Sequence, residues 1–200
     1  MPAGPGKVPA GTPVGSTPAA AGGTVGHVDY LTRLLREART RPATFAGFVQ
    51  ATQAEVWRFC RNRLGPDEAD DATQEVYVAA WRSLPAYRGE ASARTWLFVI
   101  ARRVTDRHSA RRRRWQELAA RAGSPAPSSH PEERAELGDL LVGMNEDRKL
   151  ALLLTQVVGL SYAEAAVVCE CPVGTIRSRV ARGREELLAA RERGAEEGVS

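Results

Sequence analysis

The 200-residue chain is 43% hydrophobic and 26% charged, with few aromatics and many Ala, Leu and Arg residues, a mix that favours helices over sheet and suffices for a core. Its formal net charge of only +4 conceals an uneven distribution of arginines. Three cysteines, Cys60, Cys169 and Cys171, with no second Cys or His pair nearby, argue against a disulfide framework and a metal centre, and no apolar run reaches the ~20 residues that span a bilayer.

Pro2, Pro5, Pro9, Pro13 and Pro18 stand among glycines at the start, and Lys7 is the only Lys or Arg before Arg33. Such a stretch buries too little surface to offset the entropy of ordering it. It also lacks the basic start and apolar middle of a secretory signal. Residues 1–26 therefore read as a disordered tail, and the expected location is the cytoplasm.

From Phe45 the pattern turns helical: Phe45, Phe48, Val49, Thr52, Val56, Phe59 and Cys60 recur at three- and four-residue spacing. Gly65 and Pro66 end that helix, and Asp67 reads as the N-cap of the next, expected to run to about Leu84. At 100° per residue, Ala69, Ala72, Val76, Ala79 and Ala80 share one arc, and Asp70, Asp71, Gln74 and Glu75 the opposite one. These carboxylates spread over a convex side without a histidine, which excludes an acid–base or metal site. A protein-docking face and a solvated face both remain open.

A short non-helical stretch around Tyr87, Arg88, Gly89 and Glu90 leads to a third helix over about 92–113, with Trp96, Leu97, Ile100, Ala101 and Val104 as its core stripe. Its other faces carry Arg94, Arg102, Arg103, Arg107 and the run 111–114. Between positions 88 and 121, ten arginines stand against Glu90, Asp106 and Glu117. That cluster reads as a nucleic-acid surface, because aromatics beside arginines suit the exposed π-faces of unstacked bases. A solvated charge run is the alternative, and the spacing of Trp96 also suits a core position.

Residues 121–131 (RAGSPAPSSHP) read as an extended linker and domain boundary. The expected organisation is a first domain over 27–115, a linker over 116–131, a second domain over 132–193 and a tail over 194–200. In the second domain Ser161 and Glu164 form a capping box that opens a short helix ending near Cys169. A turn of Glu170, Cys171 and Pro172 leads to a longer helix over about 173–190. This is the helix-turn-helix pattern, with Ala166 at the close crossing and Ile176 turned into the core. Its second helix normally enters the DNA major groove, the alternative being a solvated basic face on a structural helix hairpin. Thr175, Arg177, Ser178 and Arg179 lie on its first turns, where Arg pairs bidentately with guanine, and Arg182 and Arg184 lie nearer the phosphates.

Residues 70–81 (DDATQEVYVAAW), 87–102 (YRGEASARTWLFVIAR), 159–166 (GLSYAEAA) and 171–179 (CPVGTIRSR) resemble, in order, regions 2.2, 2.3–2.4 and 4.2 of extracytoplasmic function (ECF) RNA polymerase sigma factors of the sigma-70 family. The likeness is nearest to the C-type factors of high-GC bacteria. It implies an all-α protein of two small helical domains joined by a flexible linker. Asp70, Asp71, Gln74 and Glu75 would dock on the β′ clamp helices of core RNA polymerase. Tyr87, Arg88, Ser92 and Trp96, with Arg103 and Arg107, would capture a flipped −10 base. Thr175, Arg177, Ser178, Arg179, Ala181, Arg182 and Arg184 would serve −35 recognition, with the second domain also touching the β flap. Arg103 stands where the family often has Asn, Ala181 where some members have a bulkier residue, and Asn145 where many have Pro.

The sequence offers no nucleophile–base pair and no ligand cluster, so no enzyme, cofactor, small-molecule substrate or membrane partner is expected. Core polymerase and promoter DNA are the expected partners, and an anti-sigma factor is compatible with the family. The competing function is a stand-alone helix-turn-helix regulator, which leaves the acidic helix and the Arg-rich loop without a role.

Overall fold

The computed structural model describes residues 24–122 and 143–197. The expected tail before Thr24 and the linker beyond Ala122 lie outside the described residues. Those described are helical apart from short connections: α1 (Thr24–Ala38), α2 (Thr44–Leu64), α3 (Pro66–Ser83), a 3-10 turn (Leu84–Ala86), α4 (Ala93–Arg121), α5 (Glu146–Leu152, continued by a π-helical stretch Leu153–Val157), α6 (Tyr162–Cys169) and α7 (Val173–Glu197).

Four helices build the first domain. Leu31 and Leu35 of α1, Phe48, Val56 and Phe59 of α2, Val76 of α3, and Leu97, Phe98 and Val104 of α4 are fully enclosed. Phe59 meets Phe98 edge-on at 5.4 Å between centroids. The small residues Ala69, Ala72 and Ala80 let α3 close on α2, as their shared arc requires. Gly65, at φ 99°, returns its N–H to the Arg61 carbonyl, and Pro66 occupies the first position of α3, where its missing N–H costs nothing. The break is therefore made by Gly65 and Pro66, and Asp67 sits inside the first turn rather than at the N-cap. Helix α1 is an addition: it starts inside the expected tail and packs the stripe Leu31, Leu34, Leu35 and Ala38 into the core.

Ser92 caps α4, accepting from the Thr95 N–H. This helix runs past the expected end near Arg113 and past residue 115, into the segment read as linker. Its last turns are exposed among the described residues, including Trp115 at 69% and Leu118 at 52%.

In the second domain Asn145 caps α5, accepting from the Asp147 N–H. The π-helical stretch closes with the Val158 N–H on the Leu153 carbonyl and the Leu160 N–H on the Leu154 carbonyl, before Gly159 turns at φ 79°. The capping box at Ser161 and Glu164 is formed in both directions. Ile176 and Val180 of α7 pack inward with Ala165, Ala166 and Val168. A Cβ at Gly183 would meet Leu152 Cδ1 at 2.7 Å, so a larger residue there would require the Leu152 side chain between α5 and α7 to shift. Helix α7 extends beyond its expected end, into the segment read as the C-terminal tail.

The two domains pack against each other, α4 lying along α6 and α2 against the π-helical stretch. Polar groups hold much of this contact. Arg94, buried, bridges Glu55 of its own domain, at 3.0 and 3.1 Å, and the Val158 carbonyl of the other. Arg102 donates to the Val168 carbonyl at 2.7 Å. Arg63 bridges Asp106 at 2.6 Å and Glu146 at 3.3 Å.

Candidate nucleic-acid and polymerase interfaces

On α3 the expected acidic arc faces outward and divides in two. Asp71 and Gln74 are exposed and make no ion pair among the described residues. Asp70 accepts from Trp57 Nε1 at 2.8 Å, which ties it to α2. Val78, 47% exposed, and Trp81, 44% exposed, extend the face beyond the residues the sequence singled out. Their one- and two-turn spacing from Gln74 was the available signal.

Glu75 turns toward α4. Arg107 Nη2 donates to it at 2.6 Å, and the His108 ring nitrogens lie 2.9 Å from Glu75 and 2.9 Å from Glu68. Arg112 adds a 3.1 Å contact to Glu68 and a 2.8 Å bond to the Leu64 carbonyl. The Arg107 hydrogen bond, with help from His108, holds the Glu75 carboxyl below its ordinary range despite slight burial. One carboxylate of the docking helix is thus shared with the arginine-rich helix.

The expected −10 residues surround the start of α4, with one correction. Tyr87 is buried: its hydroxyl donates to the Ala91 carbonyl at 2.9 Å and its ring lies 5.2 Å from that of Trp96. It shapes the loop, with Gly89 at φ 78°, and does not offer an open face to a base. Trp96 is half-buried and Arg88 exposed. Arg103 and Arg107 lie one turn apart on one side of α4, both largely exposed, and each meets a carboxylate from elsewhere. For Arg103 this is Glu170, at 3.3 Å. Glu164 reaches across the domain contact to Thr95 Oγ1 at 3.2 Å and Ser92 Oγ at 3.5 Å. Burial opposes its ionisation, but hydrogen bonds from Ser161 and Thr95 and the charge of Arg94 prevail and lower its pKa. Neither Glu164 nor Glu170 was singled out as a domain contact, because cross-chain partners leave no local pattern.

On α7 the outward face carries Arg177, Ser178, Ala181 and Arg182, all exposed. Arg177 and Arg182 make no ion pair among the described residues. Ser178 Oγ donates to the Thr175 carbonyl at 2.9 Å, and Thr175 is half-buried. Arg179 is turned back onto its own domain, pairing with Asp147 and lying 3.7 Å from Cys171 Sγ, so it braces the helix rather than facing a groove. Arg184 donates to Gln156 at 2.8 Å from the flank of the same face. Burial pushes the Cys169 thiol up to about 11, as it does that of Cys60, which keeps both protonated at neutral pH. No three His, Cys, Asp or Glu side chains among the described residues are placed to hold a metal ion together, and no described helix is long and apolar enough to cross a membrane.

Known proteins share the fold and the sequence regions that carry these faces. Residues 48–115 match the family model Sigma-70 region 2, and residues 134–187 match Sigma-70, region 4. The chain is 42% identical over 162 residues to the ECF RNA polymerase sigma factor SigC of Mycobacterium tuberculosis, covering 78% of this chain and 87% of that one. It is 31% identical over 137 residues to the ECF RNA polymerase sigma-E factor of Escherichia coli K12, covering 60% and 72%. Among solved structures, the sigma factor RpoE in complex with the anti-sigma factor NepR from Bartonella quintana superposes with a TM-score of 0.61 at 27% identity, covering 74% of this chain and 96% of that one. CnrH, solved with the cytosolic domain of CnrY, shares the fold at a TM-score of 0.62 and 23% identity, over 83% and 97% of the two chains. With both sigma regions matched in chain order on an all-helical, two-domain fold, the chain belongs to the ECF RNA polymerase sigma factors of the sigma-70 family.

Proposed function

We propose that this sigma factor docks on core polymerase through the outward face of α3, reads the −35 element with Arg177, Ser178, Ala181 and Arg182 of α7, and captures the −10 strand on the α4 face of Arg103 and Arg107. The chain is a transcription initiation factor rather than a catalytic enzyme: sigma factors bind core RNA polymerase and direct it to promoters. The observation that carries the residue-level reading is the separation of three surfaces. An acidic and apolar face lies on α3, an exposed arginine face with Arg103 and Arg107 beside the half-buried Trp96 on α4, and an exposed Arg–Ser face without ion pairs among the described residues on α7. Each has the chemistry of one partner: a protein helix, an unstacked strand and a duplex groove. The cytoplasm, where polymerase works, is the proposed setting. An anti-sigma protein is the proposed regulator, by extension from the Bartonella relative.

The test separates docking from opening. Charge reversal at Asp71 and Glu75 abolishes holoenzyme assembly while helicity by circular dichroism is kept. Replacing Arg88 and Arg103 by Ala spares holoenzyme formation and −35 binding but blocks strand opening, read with a fluorescent base in linear promoter DNA. Wild-type opening by the second variant would sink the −10 assignment.

A further inference from the structure

Arg103 and Arg107 are the two arginines best placed on α4 for a DNA strand, and neither is free in this structure. Arg107 is held by Glu75 at 2.6 Å and Arg103 by Glu170 at 3.3 Å, with Arg102 3.7 Å from the same Glu170 oxygen. The two carboxylates come from different places. Glu75 belongs to the docking helix α3, and Glu170 to the turn of the helix-turn-helix.

Glu170 also has unusual geometry. It closes α6 in the left-handed conformation, at φ 53° and ψ 43°, and is the only non-glycine among the described residues with positive φ. Glycine takes such a position without the Cβ penalty. A glutamate there costs backbone strain, and its side chain lies against the arginines of the other domain.

We propose that Glu75 and Glu170 are internal stand-ins for DNA phosphates, neutralising the −10 surface until the holoenzyme engages the elements that carry them. This rests on the reading of α3 as the docking helix and of Arg103 and Arg107 as strand contacts. Polymerase docking on α3 claims Glu75 and frees Arg107. Seating α7 on duplex DNA draws the helix-turn-helix turn away and frees Arg103. Each pair is largely exposed, so each restrains its arginine by no more than about fivefold, a hold that a polymerase interface readily displaces.

The experiment uses the full chain without polymerase and a labelled single-stranded DNA of randomised sequence, followed by anisotropy over a salt series. E75Q and E170Q each tighten binding by about two- to fivefold, and the double variant combines the gains. The log–log salt dependence steepens by about 0.7 for each arginine released to a single strand. Adding R107A to E75Q, or R103A to E170Q, removes the gain. E117Q, which changes net charge equally on the exposed end of α4, gives no comparable shift. Should E170Q fold poorly, E170G removes the same carboxylate and relieves the backbone strain.

Wild-type affinity and salt slope in the double carboxylate variant overturn the proposal. So does a gain that survives loss of the arginines. Failure of the underlying −10 reading looks different: R103A and R107A then leave strand opening by holoenzyme unchanged, although the carboxylate variants still tighten binding by the free chain.

Discussion

The two arginine-bearing helices, α4 and α7, have similar composition and opposite circumstances. On α7 the outward arginines Arg177 and Arg182 face solvent without an ion pair among the described residues, while the inward-leaning Arg179 pairs with Asp147 and Arg184 donates to Gln156 from the flank. On α4 the arginines facing other elements are nearly all engaged: Arg94 with Glu55, Arg102 with the Val168 carbonyl, Arg103 with Glu170 and Arg107 with Glu75. Arg177 and Arg182 of α7 are open as they stand, whereas a group approaching Arg103 or Arg107 of α4 must first displace a carboxylate. Composition alone treats the two helices as equivalent basic surfaces; packing separates a ready surface from a restrained one.

The sharpest way to break this contrast is at the buried end of α4. Glu55→Ala leaves the Arg94 guanidinium, 8% exposed at its side chain, without its carboxylate, and removing one partner of such a pair costs about 3–5 kcal/mol. Urea denaturation should show a matching fall in midpoint. A loss near zero would mean that water reaches Arg94 and that this end of α4 is not closed. The same measurement on Arg177→Ala should show almost no change, because that side chain is exposed and makes no ion pair among the described residues.

On α7 the effect belongs to binding. Arg177→Ala should weaken −35 duplex binding by about 1–3 kcal/mol and relax base preference at one position. Arg184→Ala should weaken all sequences alike and flatten the salt dependence. Competition titrations with base-substituted duplexes separate the two, and identical behaviour of both variants would remove base reading from Arg177.

The smallest expected effect is the pH dependence contributed by Glu164, whose carboxylate serves the α6 cap first and the contact with Thr95 second. The Glu164 pKa is lowered in the folded chain, so its contribution is fully present above the ordinary glutamate range and fades as pH falls through the depressed folded value. Urea denaturation over a pH series should therefore show a small loss of stability on acidification below about pH 4. The acid transition should flatten in Glu164→Gln.

What could be read beforehand follows from how local each signal is. The capping box of Ser161 and Glu164, the turn at Pro172 and the inward Ile176 all depend on neighbours within a few positions, and all are found as expected. The alanine arc of α3 was legible for the same reason. Helix α1 was missed because its start shares the composition of the tail, although Leu31, Leu34, Leu35 and Ala38 carry a helical repeat. The end of α4 was cut short because Arg111 to Arg114 show no apolar periodicity. A loop position suggests an open aromatic at Tyr87, yet that loop folds its ring onto Trp96. The contact between domains was illegible in principle, since Arg94 and Arg102 bond to backbone carbonyls, which every residue possesses.

Glu164 stands at the beginnings of two helices at once. Its carboxylate completes the cap of α6 and also accepts from Thr95 and Ser92 at the start of α4. Yet α4 keeps Ser92 as its own cap, and α6 keeps Ser161. Parting the domains therefore unravels neither helix. The carboxylate thus adds bonds across the seam without replacing either cap, so each helix start carries its own stabilisation and the seam only reinforces it.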